Sequence, residues 1–329
     1  MNQAQAVAAR PRLDIAVWLA RYGTVVSLVA LIAVFSFARA DVFPTVDNVL
    51  NIMNQISILG VMAFGLTVCL VMGLFDLSIA AMATLGGYVA TFLLVRYPDS
   101  VGVALAVAVS LGLAAVIGVA NGLIVSYLGI SAFIATLATG SIITGAMLGI
   151  SDSKTIITGI PDEFMAIGQG AIFGISNPIL IMFGVGLVLW LLLEHTQLGR
   201  HLYAIGGNAE ASRLSGIAVK RYAPFALAVC ALCAGLGGLM AAAVLGAGRP
   251  QGVGDGYLLN AFAAVFIGAS SLRPGKFDIV GTAIGVLLIG VINNGLSVMG
   301  VPTYWQYIVQ GVLLILALFS AGVLTMRRR

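Results

Sequence analysis

Few side chains in this sequence are of types that do chemistry, and they are widely scattered. Cys230-x-x-Cys233 has the spacing of a redox or metal pair, but no second pair, histidine or carboxylate stands at ligand spacing beside it. Cys69 also lies in an apolar run, so all three cysteines read as small packing residues. His195 and His201 sit in a basic loop without an acidic partner at metal spacing and read as solvated. The nearest approach to a phosphate loop is residues 268–277, GASSLRPGKF. Ser270 stands there where a Walker A motif needs its first glycine, and Phe277 where it needs Ser or Thr. No chain of intramembrane acids, histidines or lysines offers a proton relay. Fuel for any transport therefore comes from another protein, or transport is passive.

Two stretches remain informative. The first is Asp76, in the run GLFDLSIAAM, whose ionised form would cost about 2.5–3.5 kcal/mol at the centre of a membrane helix. It belongs at the cytoplasmic end between two spans, where Asp76 and Ser78 are expected to cap the following helix, a reading preferred over a role in transport. The second is the polar segment 194–222. Gly206 and Gly207 are expected to break the chain at positive φ, Asn208 to cap a short helix from Ala209 to Ser215 through Ala211 and Leu214, and Gly216 to end it. Glu210 in its first turn and Arg213 in its last suit the helix dipole and lie an i,i+3 step apart. Leu214 and Ile217 leave apolar surface on this charged knob. It is either a docking element for a soluble partner or an ordinary inter-helix turn.

The elements that must position these residues follow from composition. Of 329 residues, 60% are apolar and 9% charged, which excludes a water-soluble globule. Repeated apolar runs imply an all-α membrane protein of about ten transmembrane helices, near 22–38, 49–72, 78–95, 101–125, 131–150, 178–193, 223–246, 257–270, 278–298 and 304–324. With both termini cytoplasmic, the inside segments hold Arg10, Arg12, Arg21, Arg200, Arg213, Lys220, Arg221, Arg273, Lys276 and Arg327–Arg329. The outside segments hold only Arg39, Arg96, Lys154 and Arg249. This asymmetry obeys the positive-inside rule and accounts for the net charge of +4 without a nucleic-acid partner. The chain divides into a cytoplasmic segment 1–21, one membrane domain 22–324 carrying the loop 194–222, and a basic cytoplasmic tail 325–329. A signal-peptide reading of the first span, with Ala38-Arg39-Ala40 behind it, is less apt than a retained anchor helix.

Polar residues inside the spans either line a wet passage for a polyol or make interhelical hydrogen bonds. They are Asn51, Asn54 and Gln55 in the second span, Thr136, Thr139 and Thr144 in the fifth, and Asn293 and Asn294 in the ninth. Glycine runs at 235–238 and 281–285 permit close helix approach. Residues 151–177 form a long outside segment, either a plain connection or short helices lying on the membrane surface.

The runs 45–80, 131–145, 196–217 and 281–311 resemble the ribose-type monosaccharide ABC importer permeases, over roughly residues 20–322. The GGN-x-x-A-x-RLSGI element is the most specific part, and Glu210, Ala211, Ser212 and Gly216 also fit the wider E-A-A-x-x-x-G pattern of ABC permeases. The resemblance implies a type II-like importer permease in a bacterial inner membrane, with residues 206–217, including Ser215, as the loop that meets the ATPase. It implies no cofactor in this chain: ATP and Mg belong to a cytoplasmic partner with two nucleotide-binding cassettes. A periplasmic sugar-binding protein delivers cargo, and a second permease copy or a related permease completes the pathway. The chain departs from the family's D-L-S-V-G at Asp76–Ala80, from G-Y-E-L-D-A at Gly256–Ala261 and from S-L-A-G-G-K-G at Ser271–Phe277. Related branches handle other solutes, among them autoinducer-2 and branched-chain amino acids. A secondary carrier would need coupling carboxylates at the midplane and an inverted repeat, and the sequence has neither. A passive channel or assembly scaffold would work without an ATPase.

Overall fold

The computed structural model describes residues 15–273, 275–312 and 315, with side chains from Tyr22 onward. Twelve α-helices follow in order: α1 Ile15–Ala38, α2 Val46–Val71, α3 Ile79–Arg96, α4 Val103–Tyr127, α5 Ala132–Ser151, α6 Asp162–Gln169, α7 Asn177–His195, α8 Gln197–Gly207, α9 Ala209–Leu214, α10 Tyr222–Leu245, α11 Asp255–Ala269 and α12 Ile279–Val298. Residues 303–312 are also helical. Arg10, Arg12, the tail 325–329 and most of the expected span 304–324 lie outside the described residues.

Among the described residues, α2, α3, α4, α5, α7, α10 and α12 are long and apolar enough to cross a membrane. The apolar part of α1, Tyr22–Ala38, and α11 are shorter. Helix α2 is the hub. Its second half is almost wholly apolar, and the helix packs against α7, α10, α11 and α12, so nearly all of that half is buried. Its start is fixed by Thr45, whose hydroxyl accepts from the Asn48 amide. Helix α12 starts in the same way, with the Asp278 carboxylate accepting from Gly281 N at 2.7 Å. Helices α4 and α5 leave most of their surface uncovered.

The glycine runs do what their spacing predicts. Gly238 of α10 lies on the Ala83 carbonyl of α3, and Gly285 of α12 lies on the Ala264 carbonyl of α11, so any Cβ there would strike backbone.

The segment 151–177 is more ordered than a plain connection. Asp162 and Glu163 occupy the first turn of α6, Phe164 is fully buried against α3 and α10, and Gln169 donates to the Ala243 and Val244 carbonyls. A short antiparallel hairpin follows, β1 Ala171–Ile172 with β2 Ile175–Ser176, turning through Phe173 and Gly174 at positive φ. Among the described residues the fold is all-α as expected apart from this hairpin of two residues per strand, which the apolar composition of 171–175 concealed.

Replacing Gly238 by Leu should force α10 off α3 and cost about 1–3 kcal/mol or more by overpacking. Thermal unfolding in detergent should show a clear fall in melting temperature. Gly112→Ala, where a Cβ meets open space, should leave it unchanged or slightly raised.

Candidate functional site

The segment 194–222 carries two successive helices, α8 and α9, and one asparagine makes the joint. Thr196 starts α8 by accepting from Gly199 N at 3.1 Å. Asn208 ends it, its N–H donating to the Ala204 carbonyl, and then starts α9 by accepting from Ala211 N at 2.9 Å through its side chain. The end of α9 is a Schellman motif: Gly216 N donates to Arg213 O and Ile217 N to Ser212 O, with Gly216 at φ +86°. The expected short helix and its caps are therefore present, with Ser215 just past its last turn. Arg213 Nε donates to Glu210 at 3.1 Å, and this bond raises the guanidinium pKa further above its ordinary value. Leu214 is 77% exposed at the tip.

One expectation about this loop is corrected. Gly206 and Gly207 do not break the chain at positive φ; both belong to α8. Gly206 is needed for close approach instead, because a Cβ there would collide with the Val71 carbonyl at the end of α2. Gly207 faces open space. The rest of α8 is held firmly. Leu202 and Ile205 are buried, Tyr203 Oη donates to the Phe277 carbonyl at 2.9 Å, and His201 Nδ1 is hydrogen-bonded to the Tyr222 hydroxyl. His201 is thus a structural partner of α10 rather than a solvated side chain.

Directly after that contact the chain leaves helical geometry. Gly73 turns it at φ +75°, and residues 74–77 run without regular structure before α3. Irregular backbone at membrane depth persists only where protein or a cavity surrounds it. Thr136 of α5 provides part of that support, since its hydroxyl accepts from Leu77 N at 2.9 Å. Asp76 is buried, and one carboxylate oxygen accepts from Ser78 N at 2.8 Å and from Ser78 Oγ at 2.6 Å. The capping expectation is corrected here. Ser78 holds the N-cap position of α3 without a side-chain bond to the helix, and Asp76 braces the turn before it. Cys69 and Cys230 approach the same carboxylate, which spacing along the chain could not reveal. Phe75 stacks on Phe262 and Phe266 of α11, with centroids 6.1 and 6.3 Å away.

Leu77 belongs to the wall of a cavity of about 800 Å³ between α3, α5 and the segment leading into α11. Thr84, Ser141 and Thr144 offer hydroxyls to it, and Arg249, Gln251 and Asp255 offer charged and amide groups. From the sequence alone Arg249 reads only as an outside charge, and Gln251 and Asp255 go unremarked. The polar, glycine-rich break RPQGVGD between two apolar runs was the available signal.

The other polar candidates lie elsewhere. Asn51 and Asn54 line a separate cavity of about 230 Å³ beside β2, where Ser176 donates to Asn54 at 3.1 Å and Gln55 donates to Asn51. Thr139 donates to Asn121 of α4 at 2.6 Å. Asn293 accepts from Gln310, and Asn294 is buried in α12. Of the three threonines in α5, only Thr144 faces the large cavity.

A family model described as "Branched-chain amino acid transport system / permease component" matches residues 48–318. The chain belongs to this family of permeases. It is 39% identical over 303 residues to the ribose import permease protein RbsC of Escherichia coli (strain K12), covering 91% of this chain and 93% of that protein. It is 35% identical over 297 residues to the D-allose transport system permease protein AlsC of the same strain, covering 90% of each. Over 276 residues it is 33% identical to the L-arabinose transport system permease protein AraH, covering 84% of this chain and 82% of that protein. No solved structure matches.

Removing the shared cap by Asn208→Ala should destabilise α9 by about 1 kcal/mol. Hydrogen exchange at the amides of 209–214 should then quicken roughly fivefold, with the amides of α10 unaffected.

Proposed function

We propose that this permease is the membrane subunit of an ATP-driven importer for a monosaccharide, working in a bacterial inner membrane. The observation that carries the proposal is the pairing of two features in one chain. A capped, charged helix stands proud of the membrane domain, and a hydroxyl-lined cavity lies on the far side of the segment its support touches. The names of the relatives, which concern ribose, allose and arabinose, support a sugar as cargo.

In this reading ten helices span the bilayer and both termini are cytoplasmic. The charge distribution supports that topology. Arg213, Lys220, Arg273 and Lys276 lie at the end that carries α8 and α9, whereas Arg39 donates to the Val298 carbonyl at the other end. Residues 206–216 dock on a separate ATP-hydrolysing subunit, which holds the nucleotide and Mg. The uncovered face of α5, with Leu137, Ser141 and Ile142 open, meets a second permease subunit and closes the cavity into a full passage. A periplasmic binding protein loads that passage from the Arg249–Asp255 side.

The mechanism follows from the contacts. A sugar carries many hydroxyls and no charge, so a wall of Ser, Thr and Gln side chains exchanges hydrogen bonds with it without holding it tightly. When the ATPase closes, α9 moves with its docking groove. Because Asn208 joins α9 rigidly to α8, and Gly206 abuts the end of α2, the motion reaches residues 72–78. Leu77 of that segment lines the cavity, and displacement of the segment re-aims Leu77 and the Phe75 stack.

Glu210→Lys and Arg213→Glu, made singly, should each lower ATP-dependent uptake by about tenfold or more, since like charges then face the docking groove. The amount of permease in the membrane should stay within about twofold. Unchanged uptake would refute the docking role. Thermal stabilisation of the cognate binding protein by a panel of pentoses, hexoses, polyols and autoinducer-2 would name the cargo, and a response to branched-chain amino acids alone would overturn the sugar assignment.

A further inference from the structure

A third cavity, of about 330 Å³, lies between α2, α7 and α12. Its wall is almost wholly apolar, with Met53, Phe64, Met182, Trp190, Ala283 and Val286 among its residues. Its outer edge is open, since Phe183, Leu187 and Val280 there are 59%, 56% and 45% exposed. The groove runs along α7 from Met182 to Trp190, about 12 Å at 1.5 Å per residue. That length suits the roughly 15 Å of hydrocarbon in one leaflet of a bilayer.

The Trp190 end of the groove is charged. Glu194, one turn beyond Trp190, accepts from Arg273 at 2.7 Å, and Lys276 Nζ lies 4.0 Å from the same carboxylate oxygen and 4.0 Å from the centroid of the Tyr203 ring. Two cations therefore face one carboxylate, and both remain partly exposed, Arg273 at 53% and Lys276 at 41%. Asp278 also acts on Arg273, but its carboxylate is buried against Gly281 N at the start of α12, so the charges that remain open to a ligand are the two cations. A slot open to lipid along its length, with two partly exposed cations at the headgroup level and the matching carboxylates more deeply buried, is complementary to one class of occupant.

We propose that this groove holds an anionic phospholipid, one acyl chain lying along α7 between α2 and α12 and its phosphate beside Lys276 and Arg273. The proposal rests on the membrane placement given above, in which this end of α7 faces the cytoplasmic leaflet. The lipid would brace the junction of α7, α8 and α12 from outside.

Trp190 provides the readout. The full-length chain with Trp18→Phe and Trp305→Phe retains it as the single tryptophan, and the purified protein is reconstituted into vesicles containing brominated-chain phosphatidylglycerol or brominated-chain phosphatidylcholine. Quenching should reach its midpoint at a mole fraction at least about threefold lower for phosphatidylglycerol. Lys276→Gln, which leaves the Arg273–Glu194 pair in place, should remove most of that preference, and Lys276→Arg should keep it. Added inorganic phosphate should leave the preference unchanged, because the chain and headgroup bind together. Equal quenching by both lipids would mean an ordinary annular position and would overturn the proposal. So would quenching by neither lipid, which would mean that another protein surface covers the groove, or a preference that survives in Lys276→Gln. None of these outcomes bears on sugar uptake, so the proposal can fail while the importer reading stands; failure of the protein to enter vesicles at all would count against the membrane placement instead.

Discussion

The architecture depends on a place where two backbones touch. At Gly206 the α8 helix meets the carbonyl end of α2 so closely that no side chain fits between them. Backbone contact of this kind cannot be absorbed by a rotamer change, so a displacement of α8 is also a displacement of the α2 terminus. Everything on the membrane side of that contact is arranged to respond. The chain after Val71 is irregular, braced by the hydrogen bond that Leu77 N donates to Thr136 and by the two that Ser78 donates to Asp76, and Leu77 forms part of the cavity wall. Everything on the other side is arranged to be stiff: Asn208 serves two helices at once, and Gly216 closes the second with a tight turn.

Asp76 illustrates how the membrane environment sets the terms. A buried carboxyl between helices is costly, and the fold offsets part of that cost with two bonds from Ser78 to one oxygen. Among the described residues the second oxygen has no hydrogen-bond partner, and two thiols lie nearby instead. Such a turn is stable only while α2, α5 and α10 hold their positions around it, and that makes it a responsive floor rather than a rigid one.

Much of this was legible in the residues. Apolar runs located the long helices, and the Asn208, Glu210, Arg213 and Gly216 pattern located α9 within a residue, because capping is local chemistry. What the sequence concealed depends on contacts distant along the chain. Gly206 looked like a chain breaker, since only the folded structure brings Val71 against it. For Thr139 the residues left a passage and an interhelical hydrogen bond both open, and Asn121 opposite it fits the second, while Asn51 and Asn54 proved to lie beside the hairpin. The cavity draws on 249–255, whose polarity read as a simple outside loop. The convergence of Cys69, Asp76 and Cys230 spans more than 150 residues and left no trace in spacing.

The most direct test compares two adjacent glycines in vesicles that contain the permease, its ATPase and the loaded binding protein. ATP hydrolysis and sugar entry are measured together for Gly206→Val and Gly207→Val. The account predicts that Gly206→Val separates the two, with hydrolysis continuing while entry falls by an order of magnitude or more, and that Gly207→Val, whose side chain meets open space, keeps them coupled. Normal entry in Gly206→Val, or transport by the permease alone without the ATPase, would contradict it.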